Sequence, residues 1–314
     1  MFMKKNLLFI GLIMALFTQQ ASATTPEIIK NQSVNNKELK ILSWNIYMLP
    51  YISLFNKNGE RAKVIAHTLQ SSDYQVIVFQ EAFSYKCRNI LAKNLVKEYP
   101  YQYGPINKNR LPFRTNSGLW VVSKFPLTEL GQIQFSLSKG FDIVARKGAV
   151  LFQGDFDGSS FQLITTHLQA YNSSEVRAEQ CNEIREHLLN KFYNPHIPQL
   201  ICGDFNIDMD DRPNYQKMLK TLDAHNGELS GNVKVTYDEI NNNLAKTTNG
   251  KERVIDYVLV RNGSLIHNIE RKVQTFFSHI GDHKSNLSDH YAMEFNVNFA
   301  TAVDSTNEKL FSVR

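Results

Sequence analysis

The segment Gln199-Leu200-Ile201-Cys202-Gly203-Asp204-Phe205-Asn206 decides how the rest of the chain is read. Leu200, Ile201 and Cys202 form a short apolar run that predicts a buried strand, and Gly203 permits a tight turn at its end. Asp204 and Asn206 lie two apart, so in extended backbone they project to one side. A carboxylate beside a carboxamide offers hard oxygen ligands and a neutral hydrogen-bond donor, which suits Mg²⁺ and a phosphate oxygen together. Taken alone, the same residues also describe a capped turn after a core strand, because Gly, Asp and Asn are turn formers. Similar polar residues at the ends of other apolar segments shift the balance.

Working outward from that segment, residues 160–167 alternate as a strand ending in His167, and residues 148–154, 127–135 and 117–123 read as strands before it. Phe125-Pro126 and Asp157-Gly158 supply turns, the latter a strong hairpin signal. Further back, residues 39–46 predict a strand carrying Asn45, and residues 75–81 predict one ending in Glu81. Apolar residues at helical spacing predict helices over 61–69 (Val64, Ile65, Leu69), 86–97 (Ile90, Leu91, Leu95), 175–192 (Cys181, Ile184, Leu188) and 214–222. On the C-terminal side, residues 225–252 are Asn- and Gly-rich and read as one long loop. Residues 253–260 form a strand with Asp256 inside it, and Ser288-Asp289-His290 opens a last strand running to Phe299. With no repeat or low-complexity linker, residues 38–300 predict one domain with two packed β layers and outer helices.

Composition adds bounds. Of 314 residues, 42% are hydrophobic and 21% charged, which is ordinary for a globular protein. The net charge of +5 favours anionic partners such as nucleic acid or a membrane surface, but it is scattered, with no Lys/Arg-rich block. Residues 1–23 read as a signal peptide: Lys4 and Lys5, an apolar run from Leu7 to Phe17, then Ala21-Ser22-Ala23. That run is short for a spanning helix, so the chain is expected to be exported and soluble. Residues 24–37 read as a flexible leader and 301–314 as a polar tail. Cys87, Cys181 and Cys202 fit no zinc spacing; Cys202 belongs to a buried strand, and a Cys87–Cys181 bridge has no support.

Asn45, Glu81, His167, Asp204, Asn206, Asp256, Asp289 and His290 are all polar residues placed at strand ends. Each alone has a plain explanation: a surface acid, a half-buried histidine, a cap. Asp256 is the exception. An unpaired carboxylate within an apolar strand is costly, so it needs a partner, and a histidine would serve.

The motifs Ser43-Trp44-Asn45, Phe79-Gln80-Glu81, Thr166-His167-Leu168, Gly203-Asp204-Phe205-Asn206, Ile255-Asp256-Tyr257 and Ser288-Asp289-His290 resemble those of the endonuclease/exonuclease/phosphatase superfamily of metal-dependent phosphoesterases. The resemblance implies a four-layered α/β sandwich of the deoxyribonuclease-like α+β class. Within it, the segments Ser117-Gly118-Leu119-Trp120-Val121-Val122-Ser123-Lys124-Phe125-Pro126 and Asp142-Ile143-Val144-Ala145-Arg146-Lys147-Gly148 are similar to those of neutral sphingomyelinases, where the Asp and Lys are linked to activity. Without the family, Asp142 and Lys147 read as a solvated turn before a strand.

The resemblance implies that Glu81, with Asn45 and Asp289 nearby, holds Mg²⁺ (or Mn²⁺). His290 oriented by Asp256 takes a proton from water, and Asp204 and Asn206 position water and phosphate. His167 and Lys147, the latter oriented or released by Asp142, meet the phosphoryl oxygens. The expected reaction is sphingomyelin plus water to ceramide and phosphocholine, at a bilayer, by a monomer. Secreted bacterial sphingomyelinases carry a long aromatic hairpin before the final Asp-His, whereas here Phe276-Phe277 leads into a polar stretch without Trp. Residues 47–55 are an alternative docking loop, or a loop packed into the core. Rival readings are a secreted deoxyribonuclease, though no basic or aromatic stripe for a duplex is visible, a phosphoinositide phosphatase, and an inactive membrane-binding module.

Overall fold

A computed structural model describes residues 38–49, 57–108, 115–171, 173–280 and 283–300. The signal peptide, leader and tail expected over 1–23, 24–37 and 301–314 lie outside these residues, as does most of the 47–55 loop. The chain runs β1 (Leu39–Asn45), α1 (Asn58–Gln70), β2 (Val76–Gln80), α2 (Tyr85–Leu95), β3 (Tyr101–Tyr103), β4 (Trp120–Ser123), β5 (Thr128–Gln134), β6 (Gly148–Phe156), β7 (Ser159–His167), α3 (Ser174–Ile184), β8 (Gln199–Asp204), α4 (Arg212–Leu222), β9 (Leu229–Ser230), β10 (Tyr237–Asp238), β11 (Glu252–Arg253), β12 (Asp256–Arg261), β13 (Ile266–Gln274), β14 (Phe277–Ile280), β15 (His283–Asn286) and β16 (Ala292–Phe299).

Side-chain alternation along the strands builds the layers. In β1, Leu39 and Ile41 join one apolar cluster while Leu42 and Trp44 join another; in β2, Val76 and Val78 go with the first, Ile77 and Phe79 with the second. In β8, Leu200 and Cys202 enter the first cluster and Ile201 enters a third. The first cluster is the core between two sheets. One is seven-stranded, in the order β3-β4-β2-β1-β16-β13-β9, and the other five-stranded, β12-β8-β7-β6-β5. The second cluster holds α1 and α2 (Ile65, Leu69, Leu91, Leu95) on the outer face of the seven-stranded sheet. The third holds α3 and α4 (Cys181, Ile184, Met218, Leu222) on the five-stranded sheet. The result is the expected four-layered sandwich of helices, sheet, sheet and helices.

Local chemistry sets several boundaries. Asp157 and Gly158, at φ 55° and 83°, close the β6–β7 hairpin in the two-residue turn their sequence predicts. Ser84 caps α2 by accepting from the N–H of Cys87, and Asp211 caps α4 with Pro213 in its first turn. Gly203 is needed for a different reason from the turn the sequence suggests. It pairs within the ladder at φ 143°, and a Cβ there would lie 2.0 Å from the carbonyl oxygen of Thr166 on β7.

The structure corrects other readings. The helix expected to Phe192 is α-helical only to Ile184 and continues as a π-helical turn over Arg185–Leu189. The strand expected at 253–260 starts at Asp256. Ser288, Asp289 and His290 form a bend before β16 rather than its first residues, with His290 bridged to Tyr237. The 225–252 loop contains β9, β10 and the first residue of β11. β13 has no clear signal in sequence because Arg271, buried between Ile269 and Val273 on the inward face, interrupts the apolar alternation. The polar stretch after Phe276 is a hairpin, β14–β15. All three cysteines are free and buried, Cys87 under one helical layer and Cys181 under the other, so no bridge forms between them. Among the described residues, no helix is long and apolar enough to cross a membrane.

Candidate active site

The same alternation delivers polar residues to one end of the sheet–sheet core. Asn45 continues the Leu39–Ile41 face, His167 the Phe161–Leu163 face, Asp204 the Leu200–Cys202 face and Asp256 the Val258–Val260 face. β1, β2, β7 and β8 end there, and antiparallel β12 and β16 begin there. Asp204 lies opposite both His167 and Asp256 in the ladders. Across the two sheets, the Asn45 carboxamide donates to Asp204 Oδ2 at 3.1 Å.

Asp204 is the hub. Its Oδ2 lies 3.4 Å from His167 Nε2 and 3.6 Å from His290 Nε2, and its Oδ1 accepts from the Asn206 backbone N–H at 2.9 Å. His290 Nδ1 is 2.9 Å from Asp256 Oδ2, so Asp256 has the histidine partner its buried setting requires. The backbone N–H groups of Ile255 and Asp256 both donate to the Thr236 hydroxyl, and the Tyr237 ring stands edge-on to His290 at 4.8 Å. The Asn206 carboxamide donates to the carbonyl of Leu168. Asn206 and Glu81 both hold left-handed backbone, at φ 51° and 54°, a strained conformation that clusters at functional sites.

Electrostatics separate the two histidines. Burial, reinforced by Lys147 and His290, holds His167 far below the usual histidine range, so it is neutral. Burial also opposes charge on His290, yet Asp256, Asp204 and Asp289 together outweigh it and raise His290 well above that range. Among the acids, burial and then Asp289 push Glu81 up to about 7. Burial and then Asp256 push Asp204 up to about 6, and burial raises Asp289.

This is the signature of a site short of positive charge. Glu81 Oε2 is sealed from solvent and has no hydrogen-bond partner, although the residue as a whole is only half-buried. Asp204, Asp256 and His290 also bring one ligand atom each within 4.8 Å of one another. In that trio, however, His290 and Asp256 are committed to each other, whereas the Glu81 oxygen is committed to nothing. The donor set therefore fits a hard divalent cation, with the Glu81 side the better seat.

Asp142 and Lys147 are not the solvated turn that their sequence context suggests. Lys147 is 4% exposed, and its ammonium meets Asp142 Oδ2 at 2.9 Å, the Leu168 carbonyl at 2.9 Å and His167 Nε2 at 3.0 Å. With those three acceptors, His167 carries its proton on Nδ1, an atom buried without a partner. Asp142 Oδ2 also accepts from the backbone N–H of Ala170 at 2.7 Å.

Sequence reasoning missed Arg61. It is 1% exposed, and its guanidinium donates to the carbonyls of Leu287, Ile46 and Tyr47 and to the Asn58 side chain. It thus ties the segment after Asn45 to the segment before Asp289. Its signal was present: Arg61 stands at i, with Ile65 and Leu69 at i+4 and i+8 on the buried face of α1. Thr236, Tyr237 and Asn242, which donates to the carbonyls of Ser288 and Asp289, were hidden in the apparent loop.

Comparison with known proteins gives this arrangement its class. Residues 42–290 match the Endonuclease/Exonuclease/phosphatase family, and the chain belongs to it. Among individual relatives, it is 33% identical over 271 residues to Sphingomyelinase C 2 of Leptospira interrogans, covering 78% of this chain but 42% of that protein. It is 29% identical over 275 residues to Phospholipase C of Staphylococcus aureus, covering 81% of this chain and 79% of that one. A crystal structure of a Staphylococcus aureus beta toxin mutant with bound magnesium ions matches with a TM-score of 0.71 at 26% identity, over 82% of this chain and 99% of that one.

Proposed function

We propose that this protein is an exported, Mg²⁺-dependent phosphodiesterase that hydrolyses sphingomyelin to ceramide and phosphocholine. The observation that carries it is the His290–Asp256 pair at 2.9 Å facing Asp204, with the unpartnered Glu81 Oε2 in the electrostatic field of Asp289, His290 and Asp204. The relatives named sphingomyelinase and phospholipase C, and the Asp142–Lys147 pair beside His167, favour a phospholipid over other diesters. Export rests on the sequence of residues 1–23 alone.

In this reading, neutral His290 accepts a proton from the attacking water at Nε2. Asp256 holds the ring by Nδ1 and stabilises the imidazolium that forms. Water oxygen bonds to phosphorus, the bond from phosphorus to the ceramide oxygen breaks, and the leaving oxygen takes a proton from solvent, to which the His290 imidazolium returns the proton it accepted. Asn206 and Asp204 orient water and phosphate. Lys147 lends positive charge to the phosphoryl oxygens through the neighbourhood of His167, whose Nδ1–H is the free donor. Glu81, with Asn45 and Asp289, would hold Mg²⁺, which supplies charge neutralisation to the phosphate and the leaving oxygen when bound.

One assay tests this: initial rates on sphingomyelin, phosphatidylcholine, a phosphoinositide and plasmid DNA, in Mg²⁺ and in EDTA. Mg²⁺-dependent release of phosphocholine from sphingomyelin is expected to lead. Faster cleavage of DNA, or full resistance to EDTA, would replace this reading.

A further inference from the structure

Four large apolar side chains project into solvent beside the site. Phe141 is 82% exposed, Tyr171 74%, Ile143 51% and Val144 46%. They are neighbours through backbone, since Phe141 and Ile143 flank Asp142 on the one-turn 3₁₀ segment Gly140–Ile143, and Val144 caps that turn. The turn is fastened to the segment bearing Tyr171 by three hydrogen bonds. The Lys139 N–H donates to the Gln169 side chain, that side chain donates back to the Lys139 carbonyl, and the Ala170 N–H donates to Asp142. Solvent-exposed aromatics held on an ordered, hydrogen-bonded turn mark a contact surface, whereas apolar residues scattered singly would not.

We infer that the turn carrying Phe141, Ile143 and Val144, together with Tyr171, is a docking surface that enters the interfacial region of a lipid bilayer. The inference deepens the sphingomyelinase reading and rests on it for the choice of lipid. Two observations select a lipid surface as occupant. Lys139, at the start of the turn, is exposed and in no ion pair among the described residues, so its charge can meet lipid phosphates as the apolar side chains insert, whereas Arg146 at the other end is held by Gln134 and the Lys108 carbonyl. The patch is also continuous with the site: Asp142, between Phe141 and Ile143, holds Lys147, which holds His167. A bilayer seated on the patch therefore presents headgroups at the mouth of the catalytic cluster, whereas a second copy there would stand over that mouth. In the described part of the hairpin β14–β15, the Phe277 ring is covered by the Lys284 ammonium 4.0 Å from the ring centre.

The test uses the full mature chain and vesicles of sphingomyelin, phosphatidylcholine and cholesterol. In EDTA, where turnover does not alter the surface, wild type is expected to sediment with vesicles. Phe141→Ser combined with Tyr171→Ser is expected to weaken partitioning by about tenfold for each aromatic side chain withdrawn. In Mg²⁺ the double variant should lose vesicle turnover in proportion while keeping the wild-type rate on water-soluble 4-nitrophenyl phosphorylcholine, with an unchanged melting temperature. Tyr171→Trp supplies a second readout, a blue shift of the added indole's emission on mixing with vesicles. Wild-type sedimentation of the double variant, absence of vesicle binding by wild type, or unshifted emission from the Tyr171→Trp variant would each overturn the docking surface. So would sedimentation-velocity results showing lipid-free self-association through these two residues. Vesicle binding by a wild-type protein that hydrolyses neither substrate would leave the docking surface standing and defeat the sphingomyelinase reading instead.

Discussion

Asp142 and Lys147 are joined by a 2.9 Å ion pair that is buried against His167 rather than exposed on a turn. Burial changes what each substitution does, because a charge without water depends on its partner.

Lys147→Ala is therefore expected to destabilise the fold as well as lower turnover, by about 3 kcal/mol if Asp142 is left as an uncompensated carboxylate. Asp142→Asn combined with Lys147→Met removes both charges and should recover most of the stability but little of the sphingomyelin turnover. Denaturant unfolding and vesicle kinetics on the two variants check this. Equal activity of the double variant and wild type would reduce the pair to a structural role.

His290 and Asp256 set the acid limb of the pH profile. A base acts when neutral, so activity should rise with pH as His290 loses its proton. Asp256→Asn removes the leading attraction that raises this histidine, so the limb should move to lower pH. The maximal rate should fall by about 10²–10⁴-fold as the ring loses its anchor. A pH–rate profile that keeps the wild-type limb would contradict the pairing.

Glu81 links pH, metal and stability. Its carboxyl is raised from 4.5 in the unfolded chain to about 7 in the metal-free fold. A raised value means that the folded state holds the proton more tightly. Glu81's contribution to metal-free stability is thus full below pH 4.5 and is lost as pH rises through about 7. Mg²⁺ should raise the melting temperature more at pH 8 than at pH 5, and Glu81→Gln should flatten both dependences. Melting curves in EDTA and in Mg²⁺ across that range are the measurement, and a pH-independent Mg²⁺ effect would count against this seat.

Arg61→Lys tests the clamp between the site's two halves. Lysine keeps the charge but cannot reach Leu287, Ile46 and Tyr47 together, as the planar guanidinium does. A loss of about 2–4 kcal/mol in unfolding free energy is expected, with weaker Mg²⁺ binding because Asn45 and Asp289 no longer keep their spacing. Calorimetric titration with Mg²⁺ separates the second effect from the first.

The layers, and most of the polar residues that meet at one end of the core, are legible in the amino-acid sequence. Alternation in residues 39–46, 75–81 and 199–204 is local physics, and it assigned each strand a face before any partner was known. Because a period of two carries on to the last residue, the polar residue ending each such strand inherits the face of its apolar predecessors. Asn45, His167, Asp204 and Asp256 were legible for that reason. Glu81 and Asn206 were legible only as residues at strand ends, since their left-handed backbone breaks the alternation. Tertiary structure alone decided how these ends meet. No local rule places Asn45 against Asp204, 159 residues away, or Arg61 against Leu287, 226 residues away, since such contacts come from packing one sheet on another. It also decided the environment of each charge. Lys147 reads as a solvated lysine until Leu168 and His167 enclose it. Burial belongs to the packed whole, and protonation and binding follow from it.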